Sequence, residues 1–300
     1  MIDDVHEPVV TQEQLESDME MVQFHPTGLL AGTETRMTGT VLEEGLRGAG
    51  GYLLGGDGER FMHRYAERGE RATRDIVSRA IYEEMRKGNT TPNGGVYIEM
   101  KHLGPDMVRE KFNGMVKRCA DCGFDLPGGR VEVVPTAHYL MGGIEFEIDC
   151  ASALPGLFIA GEDAGGVHGA NRLGTNSLLD LVVFGRAASI KARELIVPGR
   201  PLRAFRTGCA DKALDRFDRR RHSKGGTPTA EIRLNLQRLM QNDAAVFRTS
   251  EVLQGGCQKI EEVWAQMEDI CIADRSMICL LYTSDAADEG LGVDLGARRI

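Results

Sequence analysis

The sequence has no apolar run near the roughly 20 residues that a membrane-spanning helix needs. Val182-Val183-Phe184 and its neighbours fall far short. No leader of the secretory kind is expected either, since Asp3, Asp4, His6 and Glu7 stand where basic and apolar residues would be. Positive charge is in deficit. The 36 lysines and arginines are outnumbered by 45 aspartates and glutamates, for a net charge of −9, which argues against a nucleic-acid partner. The seven cysteines follow no regular framework, so reduced thiols in a cytoplasmic compartment are expected. Cys119-Ala120-Asp121-Cys122 has no second ligand pair at zinc spacing, and ordinary free thiols are expected there. There is no internal repeat, and no G-x-G-x-x-G follows a strand pattern.

Glycine, by contrast, is plentiful where it matters. Leu157-Phe158-Ile159-Ala160 reads as a strand and leads into a loop with five glycines between Gly161 and Gly174. Asn176 or Ser177 is the expected N-cap of a following helix. Such a loop lets the backbone pass close to a flat ligand, and the positive helix end favours an anion. The loop also carries His168 and Arg172, a potential anion-binding pair. The helix 177–195 is apolar on nearly all sides, which predicts burial.

With 300 residues the chain has room for about two domains. An irregular start covers 1–17. Met19–Phe24 reads as a strand ending in a turn at His25-Pro26-Thr27-Gly28, and the glycine-rich 42–58 as loops with short strands. Helical spacing of Ala72, Ile76, Ala80, Ile81 and Met85 predicts a helix over 70–87, closed by Gly88. A strand at 96–100, a helix at 106–119 and strands at 131–134 and 144–148 follow. Beyond Arg203 the texture becomes helical and polar, with helices at about 209–222, 228–249 and 250–272.

Five segments together resemble one family, the flavoprotein subunit of succinate dehydrogenase and fumarate reductase. They are D-M-E-M-V-Q-F-H-P-T-G (18–28), E-G-L-R-G-A-G-G-Y-L (44–53), R-A-T-R-D-I-V-S-R-A-I (71–81), V-P-T-A-H-Y-L-M-G-G-I (134–144) and G-V-H-G-A-N-R-L-G-T-N-S-L-L-D-L-V-V-F-G-R-A-A (166–188). The resemblance implies a mixed α/β and α+β fold: a partial FAD-binding domain, an inserted capping domain and a partial helical bundle. It divides the chain into the end of a first FAD-domain segment (1–24), a capping domain (25–137), a second FAD-domain segment (138–195) and part of a helical domain (196–278).

The same resemblance assigns roles. Succinate and fumarate are small dianions that need a cationic or hydrogen-bonding clamp at each carboxylate. Arg172 and His138 would hold one carboxylate and His25 the other. Arg74 would carry the proton that accompanies hydride transfer, with Glu44 and Arg47 as its relay. Glu162, Asn176, Ser177 and Leu178 would lie against FAD. The implied partners are a dicarboxylate substrate, a membrane anchor and an iron–sulfur subunit, which places the chain in the cytoplasm or on the inner face of the cytoplasmic membrane. No cysteine spacing here suits an iron–sulfur cluster. An L-aspartate oxidase-like flavoenzyme shares several motifs and is the alternative, as is a truncated product that only binds a partner.

Three departures stand out. Glu43 occupies a position where the family usually has Thr, and Thr175 one where Gly is common. The nucleotide-binding turn and the histidine that many members link to FAD are not in this chain, so the sequence reads as a fragment, inactive alone. Cys279–Glu289 and Val293–Ile300 match translations of sequencing-adapter DNA, and 279–300 is therefore read as a non-native tail.

Overall fold

A computed structural model describes residues 15–32, 35, 37–201, 208 and 210–272. The 279–300 stretch lies outside them. The described residues fall into two units, one within 1–34 and 41–201, the other within 35–40 and 202–300.

The first unit begins with a two-residue strand, β1 (Glu16–Ser17), and then β2 (Val22–Leu29). β2 does not stop before His25, as the sequence suggests. It continues through His-Pro-Thr-Gly, with register irregularities at Gln23/Phe24 and between His25 and Gly28. Pro26 lacks an N–H for the ladder, and a bulge is where a strand tolerates that. A one-turn helix α1 (Gly45–Gly48) and β3 (Tyr52–Leu54) follow. The expected 70–87 helix forms as α2 (Arg74–Arg86) after a 3-10 turn at Gly69–Arg71. It buries Val77, Ala80 and Ile81, and Gly88, at φ 78°, follows its end. β4 (Val96–Glu99) comes next. The helix predicted at 106–119 is two, α3 (Pro105–Lys111) and α4 (Asn113–Ala120), separated at Phe112 (φ −121°, ψ 35°). β5 (Arg130–Leu140) is longer than expected because it runs on through Pro-Thr-Ala-His-Tyr.

These strands make one antiparallel sheet in the order β2-β5-β4-β3. Leu29, Leu53, Val96, Ile98, Val131 and Val133 are fully buried in it, and α2 packs on β2. The pairing of β2 with β5 sets His25 opposite Thr136, two residues from His138.

After β6 (Gly143–Ile144), which pairs with β1, two expectations fail. The 144–148 strand is only β6 and a bridge from Phe146 to Ser152. Leu157–Ala160 forms no strand, and Phe158 makes a single bridge to Ala151. The Ser152 N–H donates to the Leu157 carbonyl and the Ile159 N–H to the Cys150 carbonyl, and the pairing is too short to make a strand.

The third difference is α5 (Asn176–Leu195). Its N-cap is Thr175, not Asn176 or Ser177. Thr175 sits at φ 75°, a left-handed conformation that costs a residue with a Cβ about 1–2 kcal/mol. That explains why glycine suits this position. The helix is also not buried. Leu178, Leu179, Leu181, Val182 and Val183 are each more than half exposed, and Asp180 is the buried residue. Apolar periodicity shows what a helix can bury, but burial needs a packing partner.

The second unit is helical: α6 (Asp211–Arg221), a short strand β7 (Thr227–Pro228), α7 (Thr229–Asp243) and α8 (Ser250–Ala265), then β8 (Ile270–Cys271), parallel to β7. Thr249 caps α8 by accepting the Val252 N–H at 3.3 Å. Lys259 ties α8 to Asp243 on α7 at 2.8 Å. Among the described residues, no helix is long and apolar enough to cross a membrane.

Candidate active site

Arg74 is the first residue of α2. In sequence it is one arginine among several on a polar helix. In the fold, its Nε and Nη2 both donate to Oε2 of Glu44, at 3.0 and 2.7 Å, and Nη1 donates to Oε1 of Gln23 at 3.0 Å. Glu44 precedes α1, and one turn on, Arg47 donates from Nη2 to the other oxygen, Oε1, at 3.2 Å. Each carboxylate oxygen thus faces its own guanidinium. Arg47 is 1% exposed; its Nη1 donates to the Glu70 carbonyl at 2.7 Å and its Nε has no partner.

The electrostatics follow from this packing. Burial pushes Glu44 up, but the bonds from Arg74 and the charges of Arg74 and Arg47 outweigh it and hold its carboxyl below the usual range. Burial lowers Arg47, and Glu44 works against that. Gly174 lies against the pair, since a Cβ there would come within 3.1 Å of Glu44 Oε2.

His25 is 1% exposed on β2, and His138 stands beside it on β5, with ring centroids 5.1 Å apart and planes at 70°. Burial first, then Arg74 and other cationic neighbours, lower His25 to about 2 and His138 to about 4. Both are neutral at pH 7. His25 Nδ1 accepts the Thr27 N–H at 3.3 Å, while the Thr27 hydroxyl donates to the Leu42 carbonyl. That leaves the ring proton on Nε2, as a donor. The linkage has a definite sign. Unfolded histidines take up protons near pH 6.5 and these folded ones do not, so stability is lost as pH falls below about 6.5. Each histidine contributes up to about 1.4 kcal/mol per pH unit until its folded pKa is reached. Urea unfolding between pH 7 and pH 5 should show the midpoint falling with pH. A flat profile would mean that the rings are solvated.

Arg172 closes the group. It is 5% exposed and lies over the Tyr139 ring, Cζ to centroid 4.3 Å. Its Nη1 donates to the Ser177 hydroxyl at 3.2 Å. Its Nε is buried without a partner, and burial lowers its pKa. Gln23, which sequence reasoning misses, ties the set together: it is 3% exposed, receives from Arg74, and donates to Asn171 Oδ1 (2.9 Å) and to the Arg172 carbonyl (2.6 Å). A glutamine inside an apolar strand is the available signal.

The remaining expected residues are more dispersed. Glu162 is exposed and accepts the Leu140 N–H at 3.0 Å. Asn176, Ser177 and Leu178 form the first turn of α5, which has no acidic residue, and Leu178 is open at 61%. His168 does not pair with Arg172. Its Nε2 lies 3.2 Å from Asp180 Oδ2. Glu43 is exposed, and its carboxylate sits over Gly45. Cys119 is buried and its thiol is pushed up to about 12, which keeps it protonated and inert.

The fold thus gathers three guanidiniums, one shared carboxylate and two neutral imidazoles next to an open apolar helix start. The family model described as FAD binding domain matches residues 8–178, and that described as fumarate reductase flavoprotein C-term matches 233–285. The chain is 42% identical over 276 residues to the mitochondrial succinate dehydrogenase [ubiquinone] flavoprotein subunit of Oryza sativa subsp. japonica, covering 87% of this chain and 43% of the relative. It is 41% identical over 259 residues to one subunit of the fumarate reductase (CoM/CoB) of Methanothermobacter marburgensis, covering 86% and 46%. Among solved structures, the FrdA chain of E. coli quinol fumarate reductase, bearing a point mutation, superposes with a TM-score of 0.77 at 35% identity, covering 92% of this chain and 50% of that one. The chain belongs to the FAD-binding flavoprotein family of succinate dehydrogenases and fumarate reductases. It spans about half the length of the relatives it matches.

Proposed function

We propose that this chain carries the substrate half of a flavoenzyme that interconverts succinate and fumarate. The observation that carries the reading is Glu44, whose two oxygens each face one guanidinium, beside a buried and a half-buried neutral histidine and a buried arginine with a free donor.

Three guanidiniums, Arg47, Arg74 and Arg172, surround one hydrogen-bonded carboxylate, and Glu162 acts on Arg172 from the exposed edge. The surplus positive charge suits a dianion. Arg172 has spent Nη1 on Ser177, so Nε and Nη2 are the donors left for one carboxylate, with His138 beside it. His25 Nε2–H donates to the other. Arg74 has committed three N–H bonds to Glu44 and Gln23, which leaves the second hydrogens of Nη1 and Nη2 to face the substrate. A guanidinium is a poor acid on its own, so it needs a relay: once Arg74 has given a proton to fumarate, Glu44 takes a proton from Arg47 at Oε1 and returns one to Arg74 at Oε2, and a proton from solvent restores Arg47.

The residues present fit FAD. The first turn of α5 offers a positive helix end, no acidic side chain and open apolar surface at Leu173 and Leu178, which suits a flat ring that takes up negative charge. When bound, FAD accepts or gives the hydride. Asn176, Ser177 and Leu178 would hold it from α5, and Glu162 would approach it from the preceding loop.

The relatives' names support a partner, since both the rice and the Methanothermobacter proteins are named as single subunits of larger enzymes. The chain would pass electrons to an iron–sulfur subunit held by a membrane anchor, on the inner face of the cytoplasmic membrane. The domain reading is proposed on the same basis: 1–24 and 138–195 in the FAD domain, 25–137 as the capping domain and 196–278 as part of the helical domain. Reduction of the bound flavin by succinate, with little by L-aspartate, tests the substrate assignment, and the opposite preference would overturn it.

A further inference from the structure

On α5 the usual order of burial is inverted. Leu179 and Leu181 are 63% and 53% exposed, while Asp180 between them is 4% exposed. Burying a carboxylate costs several kcal/mol unless it is paired. Asp180 Oδ2 accepts from the Tyr139 hydroxyl at 3.4 Å and lies 3.2 Å from His168 Nε2; Oδ1 has no partner. His168 in turn packs on the Tyr139 ring in a T-shaped contact, with centroids 5.6 Å apart and planes at 70°. The carboxylate and the imidazole therefore hold one aromatic ring from two sides. Arg172 lies over that ring, 4.3 Å from its centroid, and Tyr139 directly follows His138 on β5.

We propose that Asp180 is a positioning residue for the carboxylate clamp: it fixes the Tyr139 ring and, through it, the guanidinium of Arg172. The phenol that donates to Asp180 is the underside of the Arg172 seat. A hydroxyl donating to a carboxylate enriches its ring in electron density, which strengthens the attraction for the cation above it. The Ser177 hydroxyl supplies the other hold on Arg172. Both holds come from the first two turns of α5, so one helix sets the aim of the clamp. Asp180 itself touches no substrate.

The inference rests on the reading of Arg172 as a dicarboxylate ligand. The test uses the FAD-loaded full-length flavoenzyme that carries this segment, and malonate, a diacid without two adjacent methylene carbons, which binds and does not react. Asp180→Asn keeps the volume and removes the charge; Tyr139→Phe removes only the hydroxyl. Each should weaken malonate binding and raise the KM for succinate about tenfold, with a smaller change in kcat. The double variant should be no weaker than either single one, because both cut the same link. Unchanged malonate affinity in a folded Asp180→Asn or Tyr139→Phe enzyme overturns the proposal, as do additive losses. A lower melting temperature without a change in KM would mean that the carboxylate only supports the fold, which also overturns it. If Asp180→Asn does not fold, Tyr139→Phe alone decides. If the unaltered enzyme binds neither malonate nor succinate, the dicarboxylate reading itself fails, and this inference falls with it.

Discussion

In the full-length flavoenzyme that carries this segment, replacing Arg74 with Ala should lower kcat for fumarate reduction by about 10²–10⁴-fold, the usual worth of a positioned proton donor. The KM should change far less, because on the proposed reading His25, His138 and Arg172 hold the carboxylates. The geometry gives the reason. Three of Arg74's N–H groups are fixed by Glu44 and Gln23, so its position is set before substrate arrives. Arg74→Lys should recover the charge and little of the rate, since a single ammonium cannot make the fork to Glu44 and the bond to Gln23 together. Glu44→Gln should also be slow, for a different reason: an amide between Arg47 and Arg74 cannot pass a proton. Steady-state rates with fumarate and an artificial electron donor would check this. A kcat near the unaltered value in Arg74→Ala would remove Arg74 from the chemistry.

Removing Arg172 should act on binding. Arg172→Ala should raise the KM for succinate and the Kd for malonate by about 10²–10³-fold, as expected when a buried, hydrogen-bonded charge loses its role toward a ligand. Fold stability should hold or rise, because a guanidinium buried with Nε unpartnered costs energy in the free protein. The combination of weaker binding and undiminished stability separates a ligand-binding arginine from a structural one. Calorimetric titration with malonate and thermal unfolding together give both readings. Arg172→Lys should recover part of the charge but not the two parallel donors.

Much of the site is legible in the sequence, but unevenly. His25, Glu44, Arg47, Arg74, His138 and Arg172 lie in five separate motifs, and the fold brings them together. What the sequence does not show is the partner of each. Glu44 and Arg74 are 30 residues apart, and only the seating of α2 against β2 makes them a pair. His25 looks like a turn residue because proline and glycine follow it; a bulge keeps the strand going and buries the ring. Gln23 and Asp180 give little signal because each stands inside an apolar segment without a visible counterpart. The apolar face of α5 suggests burial and is exposed, since periodicity shows where contact can form and not whether a neighbour supplies it. Leu157–Ala160 reads as a strand and is not one for a similar reason: β propensity needs a ladder.

The most direct measurement is anaerobic mixing of the FAD-loaded full-length flavoenzyme that carries this segment with succinate while the oxidised flavin absorbance is followed. The flavin should bleach with stoichiometric formation of fumarate, and Arg74→Ala should remove the bleaching while malonate still binds. A flavin that stays oxidised in the presence of bound succinate, or one that L-aspartate reduces in preference, would contradict it.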